Sequence, residues 1–143
     1  MSTLTAVCER ILPRDEDPGA VDLGVPEYIV RMLDTPDLAA VREMFWKILP
    51  MMDTEAGKKF SGKRFADLAP TEQDAILDTW QNGKESRQKA FEILVTLTLE
   101  GAFGDPKYGG NTGGLGFKMI GFTPDAPLKK MTPMPAHHGA SHP

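Results

Sequence analysis

The sequence predicts an all-α protein, an irregular bundle of five or six helices with a glycine-rich loop and an extended, proline-rich C-terminal tail. Three observations carry that expectation. Apolar residues recur at steps of three and four through most of the first hundred positions. Prolines at 26, 36 and 70 sit where a helix would begin, a place where their missing N–H costs nothing. After Phe103 the helical signals stop and glycine and proline take over.

The elements follow in order. Leu4, Val7, Cys8, Ile11 and Leu12 have helical spacing over residues 3–12, with Ser2 or Thr3 as the capping hydroxyl and Pro13 as the stop. Arg14-Asp15-Glu16-Asp17-Pro18-Gly19 reads as an acidic, turn-rich loop, and a short helical turn begins at Ala20. Residues 25–33 form a second helix. Thr35-Pro36-Asp37 gives a hydroxyl N-cap, a proline at the first position and an acid in the first turn. Leu38, Val41, Met44, Phe45, Ile48, Leu49 and Met52 then make the apolar stripe of a third helix, which Pro50 is expected to kink or to end near Leu49. Pro70 opens a helix through Trp80, closed by Asn82-Gly83. Residues 84–103 give the longest helix. Its second half is apolar on most sides, which places it at the centre of the bundle, although Thr96-Leu97-Thr98-Leu99 also alternates as a strand would. The chain divides into a helical domain, 1–121, and a tail, 122–143, that holds five of the twelve prolines.

Composition narrows the function. With 143 residues, 41% hydrophobic and 25% charged, the chain suits one globular domain. The net charge of −4 supplies no basic face for nucleic acid. No apolar run reaches the 18 residues of a membrane span, and the N-terminus carries no visible export signal.

Catalytic chemistry finds little to stand on. His137, His138 and His142 are the only histidines and lack ligand-spaced partners, so no metal site is expected. No histidine is placed to serve a nucleophile, and Asp15, Glu16 and Asp17 read as a solvated loop. The glycines follow a helix, whereas a dinucleotide fingerprint places them after a strand, so no cofactor site is expected in this chain. Cys8 lies on an apolar helix face. It reads as a small core residue, with an intermolecular disulfide as the functional alternative.

Recognition is what remains. Gly104-Asp105-Pro106-Lys107-Tyr108-Gly109-Gly110-Asn111, followed by Gly113-Gly114-Leu115-Gly116-Phe117, is too rich in aromatic and hydrogen-bonding groups for a linker. Asp105, Tyr108 and Asn111 supply polar handles, Pro106, Gly109 and Gly110 set the backbone, and Tyr108, Phe117 and Phe122 supply aromatic anchors. These eight residues are the candidate partner-binding set.

The same residues carry a family resemblance. Ile11-Leu12-Pro13, Pro18-Gly19-Ala20 and Gly24-Val25-Pro26-Glu27-Tyr28-Ile29 follow one pattern of the gluconate 2-dehydrogenase subunit 3 family. Asp105-Pro106-Lys107-Tyr108-Gly109-Gly110-Asn111 with Gly116-Phe117-Lys118-Met119-Ile120-Gly121-Phe122 is similar to its second pattern, with Phe117 where the family usually has Trp. Phe65-Ala66-Asp67-Leu68 and Glu72-Gln73 fit between them, and the resemblance covers residues 3–124. It implies a noncatalytic small subunit. The partner would be a flavoprotein dehydrogenase large subunit that carries FAD and oxidises a sugar or sugar derivative, with a cytochrome subunit often taking the electrons. The family's usual role is chaperone-like, accompanying the flavoprotein to the periplasm behind a twin-arginine signal. Without a visible signal here, a cytoplasmic location is the alternative. Two rival readings stand beside it: an enzyme using the 104–117 loop as a lid, and a free-standing ligand-binding or scaffold protein.

Overall fold

The structure is a computed structural model that describes residues 2–124. It holds six α-helices: α1 (Thr3–Ile11), α2 (Val25–Leu33), α3 (Ala39–Lys59), α4 (Pro70–Gln81), α5 (Glu85–Phe103) and α6 (Leu115–Met119). Short 3-10 turns lie at Pro36–Leu38, Phe65–Asp67, Pro106–Tyr108 and Thr112–Gly114, and no strand occurs among the described residues. The expected all-α bundle is the fold. Of the expected tail, only residues 122–124 are described; residues 125–143, with all three histidines, lie outside.

Helix α1 starts where Ser2 Oγ accepts the Thr5 N–H at 3.2 Å, one of the otherwise unpaired donors of a helix N-terminus. Thr3 does not cap. Its hydroxyl donates instead to the Asp53 carboxylate on α3 at 2.8 Å. The following loop folds onto Glu9, whose carboxylate accepts the N–H groups of Arg14 and Val21, both at 3.2 Å. Gly19 is required there, since a Cβ would lie 2.6 Å from the Arg14 nitrogen. Asp15, Glu16 and Asp17 are exposed, and Asp15 closes an Asx turn on the Asp17 N–H.

Several local expectations are corrected. Thr35 precedes a 3-10 turn and does not cap it; its hydroxyl donates back to the Met32 carbonyl at 2.8 Å. Pro50 does not end α3, which runs unbroken to Lys59. Pro50 is exposed, and its missing N–H leaves the Trp46 carbonyl without its helical donor. The third-helix stripe is buried only from Phe45 onward; Met44 is exposed, and Leu38 and Val41 are half-buried. Helix α4, by contrast, closes on Asn82 as expected, with the Asn82 side-chain amide donating to the Asp78 carbonyl at 3.1 Å. Helices beyond Phe103 were not expected, yet α6 forms.

Helix α5 is the spine, packing against α1, α2, α4 and α6. Ala90, Leu94, Leu97, Thr98, Gly101 and Ala102 are buried, while Glu92, Thr96 and Glu100 keep one face open to solvent. The alternating threonines do not break the helix, because Thr98 donates back to the Leu94 carbonyl at 2.7 Å and so stays satisfied in the core.

Polar side chains tie the layers at three points. Asp53 accepts from Thr3 and from the Phe65 N–H at 3.0 Å, joining α1, α3 and the Phe65 turn. Glu55 accepts from Trp80 Nε1 at 3.0 Å and pairs with Arg87 at 3.1 Å, while the Arg87 guanidinium lies 5.3 Å from the Trp80 ring centroid. Arg10 makes two parallel 2.8 Å bonds to Asp74.

Candidate functional site

The glycine-rich loop is built from its buried asparagine outward. Asn111 is fully buried and left-handed at φ 49°, a conformation asparagine tolerates better than most residues. Its N–H donates to the Gly101 carbonyl at 2.7 Å, and its Nδ2 donates to the Gly104 carbonyl at 2.8 Å. Its Oδ1 accepts the Gly116 N–H, also at 2.7 Å. One side chain therefore ties the end of α5 to the first turn of α6. Helix α6 is only five residues long, and this bond supplies a partner that its own sequence lacks.

The glycines permit close approach of this loop to the bundle. A Cβ on Gly110 would overlap the Gly101 carbonyl, and one on Gly116 would overlap the Ala102 carbonyl. Gly109 adopts φ 100° with the Arg31 guanidinium packed where its Cβ would stand.

These contacts also join the two sequence patterns, which lie about 75 residues apart. Leu23 accepts the Thr112 N–H at 3.2 Å, and a Cβ on Gly24 would sit 2.8 Å from the Thr112 hydroxyl. A Cβ on Gly101 would lie 2.7 Å from the Tyr28 ring. Burial, then the nearby Glu100 charge, pushes the Tyr28 hydroxyl above the ordinary tyrosine pKa. The two patterns form one interlocked unit of α2, the end of α5 and the loop.

The eight candidate residues thus divide. Gly110 and Asn111 are buried and shape the loop from inside. Gly109 is half-buried under Arg31. The outward face belongs to Asp105, Tyr108 and Phe122, with Pro106 and Phe117 half-exposed beside them. Tyr108 is 56% exposed and Phe122 51%, high values for aromatic rings. Asp105 caps its 3-10 turn by accepting the Lys107 N–H at 3.0 Å. The Lys107 ammonium sits 4.9 Å from the Tyr108 ring centroid and 3.5 Å from Asp105. Tyr108 first, then Asp105, hold that ammonium above the ordinary lysine pKa.

Phe117 and Phe122 are paired by the end of α6. The Phe122 N–H donates to the Phe117 carbonyl at 2.8 Å and the Gly121 N–H to the Lys118 carbonyl at 3.2 Å, with Gly121 at φ 68°. This is a Schellman ending, and its usual apolar contact is the two rings, 4.8 Å apart and edge to face. A groove of about 880 Å³ opens between this pair and the Asp105–Pro106 turn, with Phe103 and Lys118 in its walls.

Cys8 is elsewhere. It is fully buried on α1 with Thr98 Oγ1 at 3.8 Å, and burial pushes its thiol up to about 11. A bridge to another chain would require α1 to leave the core. No group of three or more His, Cys, Asp or Glu side chains gathers among the described residues, and none of their helices is long and apolar enough to cross a membrane.

The model of the family described as gluconate 2-dehydrogenase subunit 3 matches residues 1–124. The chain belongs to that family. No curated protein and no solved structure matches it. A gluconate 2-dehydrogenase subunit 3 protein is by description one subunit of a larger dehydrogenase, which implies partner subunits. The patterns that signalled the family are the segments the fold interlocks. Sequence reasoning missed Arg31 and Thr112, because the pairing of α2 with the loop is a long-range contact with no local signature.

Proposed function

We propose that this chain is the noncatalytic small subunit of a flavin-dependent sugar or sugar-derivative dehydrogenase, and that it grips and stabilises the catalytic large subunit. The observation that carries the reading is the outward face of the loop. Tyr108 and Phe122 stand out of the core, Phe122 paired with the half-exposed Phe117, on a loop that Asn111 ties to the bundle from within and at a helix end that Gly121 closes. Exposed aromatics on a pre-ordered frame are the anchors that dominate interface energetics, since little side-chain or loop freedom is left to lose on binding.

FAD belongs to the partner in this reading. A cytochrome subunit would contact the assembly through the large subunit. The same reading places the complex in the periplasm, with this chain accompanying the folded flavoprotein during export.

The test is co-expression with a flavin-dependent dehydrogenase large subunit, followed by affinity capture on this chain. Tyr108→Ala is expected to reduce the captured large subunit several-fold while the isolated chain keeps its melting temperature. Undiminished capture and undiminished dehydrogenase activity would remove the loop from the interface. Sugar oxidation by the isolated chain would replace the subunit reading with an enzyme.

A further inference from the structure

A second depression, of about 620 Å³, lies between the start of α1, one face of α2 and the first turns of α3. Leu4 and Pro26 line it from the core, while Val30 and Trp46 line it from outside, 47% and 42% exposed. The Trp46 ring stands edge to face against the buried Phe45 ring, their centroids 5.5 Å apart. Two large apolar side chains on neighbouring helices thus face solvent across one hollow.

The two arginines beside the hollow are not equivalent. Arg42 is engaged: it pairs with Asp34 at 3.6 Å and donates to the Leu33 carbonyl, at the end of α2, at 3.4 Å. Arg31 is exposed, and among the described residues no carboxylate pairs with it. Glu27 stands four residues before it, a spacing that suits an ion pair on a helix, yet the guanidinium is turned onto Gly109 instead. Arg31 therefore stands where the hollow meets the loop, next to the residue that follows Tyr108. The other cation there, Lys107, is already held by Asp105 at 3.5 Å.

We propose that this hollow is a second contact with the catalytic large subunit, and that it receives a segment of that subunit carrying one carboxylate beside one large apolar side chain. The inference rests on the subunit reading and deepens it. Arg31 lines the hollow and packs on Gly109, so one surface runs from Tyr108 through Arg31 to Trp46. The apolar side chain enters between Val30 and Trp46. The carboxylate meets the Arg31 guanidinium, whose planar fork donates two parallel N–H bonds to such a group. A purely apolar segment would cover the Arg31 charge and leave it unpaired, which is costly. A run of acids would be repelled by Glu27, exposed on the same rim. One acid beside one apolar group is the pattern that satisfies both conditions.

Capture of the co-expressed large subunit on the full chain, with washes of rising ionic strength, tests it. Wild type is expected to hold the large subunit at low salt; no retention there would overturn the subunit reading and this proposal together. Trp46→Ala is expected to lower retention on the order of tenfold. Wild type is expected to release the large subunit as sodium chloride rises from about 0.05 to about 0.5 M, because screening weakens the Arg31 pair. Arg31→Gln is expected to retain less at the low end and to change little across the range. Arg31→Lys keeps the charge and is expected to keep most of the salt dependence. A variant that merely loosened the loop would weaken capture equally at every salt concentration, so the slope separates a lost charge pair from a folding defect. Equal salt slopes for wild type and Arg31→Gln, or full retention by Trp46→Ala, would overturn the proposal. If Tyr108→Ala still weakened capture, the subunit reading would stand without it.

Discussion

The Asn111 side-chain oxygen accepts the Gly116 N–H at 2.7 Å inside a fully buried pocket, and that bond sets the path of the glycine loop. Asn111→Ala would leave the Gly116 donor and the Gly104 acceptor unpaired, at roughly 1–3 kcal/mol for each buried group. Asn111→Asp keeps the acceptor for Gly116 but sets a buried carboxylate oxygen against the Gly104 carbonyl, so it is expected to be no more stable than alanine. Urea unfolding of the three proteins checks the order. An alanine variant as stable as wild type would show that water replaces the side chain.

Two glycines of the loop separate steric need from conformational need. Gly110→Ala would drive a methyl into the Gly101 carbonyl, which is helix backbone and cannot step aside. Gly113 has nothing within 4 Å of the same position but sits at φ 62°, so alanine there costs only the left-handed penalty of roughly 1–2 kcal/mol. Gly110→Ala is expected to lower the melting temperature well beyond Gly113→Ala. The reverse order would count against the close packing of loop on α5.

The Glu55 carboxylate accepts from Trp80 Nε1 and pairs with Arg87, joining three helices in a half-buried site. Glu55→Ala would strand the indole donor, at a cost of about 1–3 kcal/mol. Glu55→Gln keeps an acceptor for Trp80 and loses the ion pair. Because the pair is partly solvated, this variant is expected to lose about 1 kcal/mol or less. Chemical denaturation of both variants measures the gap between them.

The Cys8 thiol, raised from 9.0 to about 11 by burial, gives a pH signature. The folded state holds the thiol proton more tightly than the unfolded chain does. Stability from this group is therefore fully present below pH 9 and is lost as pH rises towards 11, on the order of 2 kcal/mol in all. Unfolding midpoints of wild type and Cys8→Ala, compared across that range, should converge as the pH rises. The native thiol is also expected to resist a maleimide at pH 8 and to react at once in denaturant. Rapid native labelling would show that α1 opens readily.

Much of this protein was legible before its coordinates. The spacing of Val7, Ile29, Ile48, Ile76 and Leu94 determined the helices and most of the core, since a 3.6-residue period is a local property of the chain. Ser2, Pro26 and Pro70 marked helix starts for equally local reasons. The residue patterns around Gly24 and Gly110 were enough to indicate the family. Only the tertiary structure decided what those patterns do for each other. The packing of Arg31 on Gly109, the bond from Thr112 to Leu23 and the burial of Asn111 join residues too distant in sequence for any short window to relate. The same holds for Met44 and Val41: periodicity assigns them to an apolar face, but only the placement of α2 and α5 leaves that face uncovered. Local physics sets which way a side chain leaves its helix. Whether another element arrives to meet it depends on how the whole chain closes.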